Sequence, residues 1–371
     1  MRTFLYPLSA LSLALTACSP RKTPAQPEPP QAVAPAPPKA TDPLLARADP
    51  INQASLDAPA PPPAPDAGPT ETAGKSPDNL LIRTQVILDR LRFSPGVVDG
   101  LDGENFHHAL AAFQSAHGLD ASGQLDAATW KALSSAPEAA KPVMQTYTVT
   151  PEDAQGPYAP DVGEDLMKLA ALPDGPQYTS PLEALAERFH MSQTLLTSLN
   201  PEADLSKPGT RILVADAAPA PFQKGEVAAI EVSKDKAQVT AMNQEGAVIA
   251  AYPATVGSTG RPSPSGLHKV VGVAKAPDYV YDPAKLTWGP KSRGKLVIKP
   301  GPNGPVGVVW IDLNAPSYGI HGSPNPETIG KTASHGCVRL TNWDAEALAA
   351  GVKPGVPVTF EGKRPAKKTK A

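Results

Sequence analysis

The 371-residue chain holds two cysteines, Cys18 and Cys337, and seven histidines. Cys337 lies in Ser334-His335-Gly336-Cys337-Val338-Arg339-Leu340, downstream of Ile320-His321-Gly322-Ser323-Pro324. A free thiol with a pKa of ~8.5 is only a few per cent thiolate at neutral pH, so a useful sulfur nucleophile needs an imidazole beside it. Two histidines qualify. His335 stands two residues before Cys337, and side chains so spaced share a face on a strand but can diverge on a tight turn. His321 stands sixteen residues before it, enough for the chain to leave and return on an adjacent strand. Gly336 lets the backbone approach a substrate closely, and the amides of His335, Gly336 and Cys337 could stabilise an oxyanion. Together these groups suit acyl transfer through a thioester. The competing readings are an inert core cysteine and a His-x-Cys metal site. With two histidines, one thiol and no carboxylate placed beside them, neither a metal nor a cofactor is expected.

The elements that must position these residues read as strands. From Gly225, Ala228, Ile230 and Val232 alternate, Lys234-Asp235 turns the chain, and Val239 and Ala241 resume the pattern. Asn243-Gln244-Glu245-Gly246 makes a second turn before Val248, Ala250 and Tyr252, and apolar runs follow at Leu296-Val297-Ile298 and Val308-Val309-Trp310-Ile311. Thr341 or Asn342 can cap a short helix through Leu348, and Val356 to Phe360 reads as a closing strand. Short strands with Gly and Pro turns predict a mainly-β sandwich over 225–361. The rest of the chain is built differently. Its 46 prolines and 5 % aromatics leave part of it unable to bury a core, and 18–77, rich in Pro and Ala, is expected to be a disordered linker. A formal charge of −2 supplies no field for a nucleic-acid backbone, so nucleic acid is excluded as a partner.

Apolar positions at helical spacing, Leu81, Val86, Leu88 and Leu91, then Phe106, Ala109, Leu110 and Phe113, then Trp130, predict three helices over 78–136 separated by Gly-Asp turns. The run Pro95-Gly96, Asp99-Gly100, Asp102-Gly103, Ala109-Leu110-Ala111-Ala112-Phe113-Gln114 and Gly118-Leu119 resembles the peptidoglycan-binding domain of cell-wall enzymes. Over 142–216 the order Tyr147-Thr148-Val149, a helix from Pro181 to Phe189, a second with Leu195, Leu196 and Leu199-Asn200-Pro201, then Ile212-Leu213-Val214 resembles a small α+β LysM module, without its Gly-Asp-Thr-Leu opening. His190 and Met191, at a turn between helices, read as packing residues. Met1-Arg2 followed by an apolar run from Phe4 to Ala17 reads as an export signal over 1–17, too short for the ~20 residues that span a bilayer. Leu15-Thr16-Ala17-Cys18 resembles the lipobox of bacterial lipoproteins. That implies cleavage before Cys18, lipidation of its thiol, and, with Ser19 next, delivery to the periplasmic face of the outer membrane. The basic end, 362–371, reads as a solvated tail.

The pattern His-Gly, a dozen residues, then Ser-His-Gly-Cys-x-Arg resembles the L,D-transpeptidases with a YkuD-type catalytic domain. The resemblance implies Cys337 as nucleophile, His321 as general base and the Gly322 carbonyl as the group orienting it. It gives His335 and Gly336 to the oxyanion region, and Ser334 and Arg339 to substrate binding. Peptidoglycan stem peptides and glycan are the implied partners, with acyl transfer from a tetrapeptide stem to an amine and release of D-alanine. Water as acceptor, or a non-catalytic wall tether, are the alternatives. The family's upstream Thr-Pro-x-Gly-x-aromatic loop stands here as Ser263-Pro264-Ser265-Gly266-Leu267-His268. If Cys18 carries the acyl chains, Cys18→Ala will abolish the lipid-sized gain in intact mass and release the protein from membranes. A variant that still sediments with membranes after a high-salt wash would refute the anchor.

Overall fold

Helices begin where a short polar side chain can take up the free amides of a first turn. Asp42 opens α1 (Pro43–Asn52), Asp78 opens α2 (Asn79–Arg90), and Asp126 opens α4 (Ala127–Ser134), each carboxylate accepting amides two or three residues on. Between them α3 (Glu104–Ala116) buries Phe106, Ala109, Leu110 and Phe113 along one face. The computed structural model describes residues 42–57, 76–284 and 294–363, all within one compact unit, Thr41–Ala371. Residues 1–17, Cys18, most of 18–77 and all but the start of the basic tail lie outside the described residues.

One part of the expected linker is corrected. Residues 43–52 form α1, whose Leu44, Ala48 and Ile51 are buried in the same core as α2 and the middle segment. Pro43 sits in the first turn, where its missing N–H costs nothing. The Pro and Ala content around it hid a helix with one apolar face.

The middle segment runs β1 (Met144–Thr148), α5 (Pro151–Gln155), α6 (Leu166–Ala170), α7 (Pro181–Arg188), α8 (Gln193–Leu199) and β2 (Arg211–Ala215). β1 and β2 pair antiparallel, Met144 opposite Ala215. This segment shares one apolar core with the three-helix region rather than standing apart. Arg90 shows why. Its side chain is buried and donates to the carbonyls of Asp216 (2.5 Å), Glu138 (2.8 Å), Lys141 (3.1 Å) and Pro142 (2.6 Å), with an ion pair to Asp216 at 3.0 Å. Both chain entries of the middle segment are thereby held by one guanidinium.

Beyond it lie β3 (Ala229–Ser233), β4 (Gln238–Met242), β5 (Val248–Pro253), β6 (Gly266–Lys275), β7 (Tyr279–Tyr281), β8 (Leu296–Ile298), β9 (Val309–Leu313), β10 (Gly319–His321), β11 (Val338–Arg339), α9 (Asn342–Gly351) and β12 (Pro357–Glu361). The expected two-sheet sandwich is replaced by one eight-stranded ladder, β11-β10-β9-β6-β12-β3-β4-β5, with β7-β8 as a separate hairpin. The joining piece is β6. Its first residues pair with β12 and its last with β9, and a register shift between Val270 and Gly272 separates the two halves. A bulge bends and twists its strand, so the sheet curls through β6 instead of breaking in two. Apolar alternation marks which residues face inward, but not whether a strand is shared by two halves.

α9 packs on β9 and β10, and its Trp343 stacks on His190 with ring centroids 4.8 Å apart. His190 in turn bonds Asp89 at 2.7 Å, and Ser94 donates to Asp344 at 3.0 Å. One buried polar patch therefore joins α2, the α7–α8 turn and α9. Since Ile51 is fully buried, Ile51→Ala should cost about 2–4 kcal/mol in urea unfolding. A loss below about 0.5 kcal/mol would return 43–52 to the linker.

Candidate active site

β10 and β11 lie parallel, with Ile320 opposite Val338 and His321 opposite Arg339. This pairing carries Cys337, the residue just before β11, to the leading end of β10. There its thiol approaches the Ser317 carbonyl at 3.6 Å. Burial pushes the thiol above its usual pKa, opposed by the Gly319 amide and the positive charge of Arg339.

His321 is buried, and its Nδ1 lies 2.7 Å from the Gly322 carbonyl oxygen. A carbonyl only accepts, so Nδ1 carries the proton and Nε2 keeps its lone pair. The ring stacks on Trp310, centroids 5.3 Å apart. Burial, helped by Arg339 and opposed by the Gly322 carbonyl, lowers the imidazole pKa to about 3. His321 is therefore neutral at any ordinary pH. His335 is exposed, its pKa lowered by partial desolvation and by Arg261 and Arg339, with Glu164 acting the other way.

The turn bearing Cys337 is braced from two sides. Ser334 Oγ donates to the Cys337 carbonyl at 2.5 Å and accepts the Gly336 N–H at 3.1 Å. Ser263 Oγ donates to the Gly336 carbonyl at 2.7 Å and accepts the Gly257 N–H at 2.9 Å. Gly336 has φ +126°, and a Cβ there would come within 2.7 Å of the Tyr318 ring, so only glycine suits the turn. The Gly336 amide, expected in the oxyanion region, donates to Ser334 Oγ. The Ser263 loop, which departs from the resembled pattern, uses only the hydroxyl that serine and threonine share.

Three contributors had no sequence signal. Tyr279, on β7, is near enough to Cys337 and Arg339 to feel both, and burial first, then Cys337 and Tyr281, push its phenol up to about 12. Asn342, first residue of α9, accepts the Val308 N–H at 3.3 Å and donates to Glu187 Oε1 at 2.7 Å. It lies so close behind Gly322 that a Cβ there would stand 2.1 Å from its Oδ1. Glu187 comes from α7, outside the curled sheet, and also accepts the Tyr178 hydroxyl at 2.9 Å. The turn that holds His321 thus leans on the middle segment. Among the described residues no group of His, Cys, Asp or Glu could hold a metal ion.

Residues 228–360 match the model of the L,D-transpeptidase catalytic domain, and residues 78–133 match that of a peptidoglycan-binding domain. The curled sheet is thus the part of the chain that is similar to L,D-transpeptidase catalytic domains. Similar proteins include the one named L,D-transpeptidase YkuD in Bacillus licheniformis, 46 % identical over 71 residues, or 18 % of this chain and 43 % of that protein. The Bacillus subtilis protein of the same name is 26 % identical over 48 % of this chain and 92 % of its own length. YbiS, named as an L,D-transpeptidase of Escherichia coli K12, is 27 % identical over 52 % of this chain and 63 % of that protein. The chain thus spans less than half of the first of these relatives.

Glu187 titrates where it can be tested. Burial raises its carboxyl from 4.5 to about 7, against hydrogen bonds from Asn342 and Tyr178. An acid with a folded pKa above its unfolded one binds protons better when folded, so its contribution is full below 4.5 and declines as pH rises to about 7. Between pH 5 and 8 the wild type should therefore lose stability relative to Glu187→Gln, by up to about 3 kcal/mol. Parallel stability curves for the two proteins would show that Glu187 titrates normally.

Proposed function

We propose that this protein is an exported, lipid-anchored enzyme that remodels peptidoglycan by L,D-transpeptidation. The observation that supports this most is the parallel pairing that brings Cys337 to the end of the strand bearing His321, whose tautomer the Gly322 carbonyl selects. Nε2 of His321 takes the thiol proton as Sγ attacks the carbonyl before a terminal D-alanine. The S–C bond forms, the C–N bond breaks, and the same proton passes to the departing amine. An acceptor amine then attacks the thioester, and its proton returns through His321 to sulfur.

The resting pair is uncharged, because burial disfavours both thiolate and imidazolium. Arg339 adds to that penalty on His321 and makes no ion pair among the described residues. A substrate carboxylate seated on Arg339 would offset its charge and ease proton transfer to His321. Substrate binding then activates the base.

The helical region 78–133 would hold the enzyme on the wall, and the β1–β2 pair with α7 and α8 supports a LysM-like reading of the middle segment as a glycan contact. Both raise local substrate concentration rather than assist the chemistry. Cys18 would anchor the chain to the periplasmic face of the outer membrane. Among the described residues no helix is long and apolar enough to cross a membrane.

Incubation with a tetrapeptide stem should add a tripeptide acyl group to the intact mass of the wild type, and none to Cys337→Ser. His321→Ala should slow that acylation by roughly 10²- to 10⁴-fold, while His335→Ala, altering an exposed ring, costs much less. A harmless His321→Ala with a dead His335→Ala would exchange their roles, and a fully active Cys337→Ser would end the thioester reading. Products from purified sacculi separate an amine acceptor from water.

A further inference from the structure

Lys234 is a buried cation without a counter-ion. It follows β3 at the start of the turn to β4, and its N–H donates to the Glu361 carbonyl at 3.0 Å, which ties that turn to the end of β12. The residue is only 8 % exposed. Its ammonium makes no ion pair among the described residues. Instead it donates to the Ser265 hydroxyl at 2.7 Å and to the Pro264 carbonyl at 3.2 Å. Burying a charge with no opposite charge beside it costs free energy that an unbranched apolar side chain of similar length would not. An ammonium, however, donates several charge-assisted hydrogen bonds from one point, so it can close on the carbonyl and the hydroxyl of adjacent residues at once.

The loop it grips needs such a hold. Residues 262–265, in Arg261-Pro262-Ser263-Pro264-Ser265-Gly266, lie outside any helix or strand. Pro262 and Pro264 have no N–H, so half of these residues cannot donate to a neighbouring strand. Two side-chain clamps take over. Lys234 fixes Pro264 and Ser265 from the β3–β4 turn, and Ser263 Oγ, between the prolines, spans the Gly257 N–H and the Gly336 carbonyl. The packing there is close, since a Cβ on Gly257 would stand 2.3 Å from the Ser263 nitrogen. The Gly336 carbonyl and the Cys337 N–H belong to one planar peptide, so the hydroxyl that fixes the first also fixes the direction of the second. A chain of contacts therefore runs from the ammonium to the peptide just before the thiol.

We propose that Lys234 is a positioning residue for Cys337: its ammonium sets the 262–265 loop so that Ser263 braces the Gly336–Cys337 peptide and aims the sulfur at a substrate carbonyl. The inference rests on the transpeptidase reading of Cys337. Lys234 acts through Ser263 on the orientation of a reacting group, so its loss lowers the maximal rate and leaves substrate affinity unchanged.

The test is single-turnover acylation of the full-length protein by a tetrapeptide stem, followed as intact mass over a range of stem concentrations, at a temperature where circular dichroism shows each variant folded. Lys234→Met should lower the maximal rate roughly three- to tenfold and leave the half-saturating concentration within about twofold, while Lys234→Arg recovers at least about half of the wild-type rate. Ser265→Ala, at an exposed position, removes one of the two acceptors; it should cost roughly two- to threefold, and it carries the test if Lys234→Met does not fold. Because Lys234 and Ser263 act on one peptide, adding Lys234→Met to Ser263→Ala should cost less than about twofold beyond Ser263→Ala alone. Four results would overturn the role of Lys234 alone: Lys234→Met or Ser265→Ala as fast as wild type, a loss of affinity in place of rate, Lys234→Arg no faster than Lys234→Met, or losses that multiply in the double variant. A wild type that forms no acyl-enzyme would overturn the transpeptidase reading and this inference with it.

Discussion

The hydrogen bond from His321 Nδ1 to the Gly322 carbonyl, 2.7 Å long, is the constraint on which the rest of the site depends. It decides which ring nitrogen is free, and it can do so only while the turn after β10 stays fixed. Trp310 holds the ring from one face, and Asn342 closes the space behind Gly322. Parallel pairing with β11 then brings Cys337 to the leading end of the strand that carries that ring. A loose turn would let the imidazole adopt either tautomer, and Nε2 would no longer be fixed as the proton acceptor.

That rigidity is bought partly outside the catalytic domain. Glu187 on α7 bonds Asn342, His190 stacks on Trp343, and Ser94 reaches Asp344, so the first helices of the described chain, the middle segment and α9 meet in one buried polar seam. Burial and the nearby Asp89 hold the Asp344 carboxyl well above the usual carboxylate range. Buried polar groups of this kind stabilise only when each has its partner, which ties the geometry of each module to that of the others.

That His321 and the segment after Cys337 lie on neighbouring strands was legible in the sixteen residues between them, enough for the chain to leave and return beside itself. The helices of 78–136 were legible from apolar spacing, and the cap of α9 was narrowed to Thr341 or Asn342, of which the structure uses Thr341. Other features had no local trace. Asn342 and Glu187 are 155 residues apart, and nothing near either one announces the other. The sharing of β6 by two halves of a sheet depends on a bulge at Val270–Gly272, which an alternating pattern blurs rather than marks. α1 was masked by two prolines, Pro43 at its start, where proline is compatible with a helix, and Pro50 inside it. Residues 173–176 take their position from Lys299, Pro300, Gly301 and Asn303, more than 120 residues along the chain, rather than from a local pattern.

Arg90 carries a consequence for the order in which the chain is made. Its guanidinium is satisfied by carbonyls as far as Asp216, 126 residues downstream. The carbonyls of Glu138, Lys141 and Pro142 follow Arg90 within 52 residues, but until Asp216 arrives Nε has only water to bind, so the buried guanidinium is not fully satisfied. At about 5–20 residues per second, synthesis leaves that last bond unmade for roughly 6 to 25 seconds. The closing step of this core therefore waits for the far end of the middle segment.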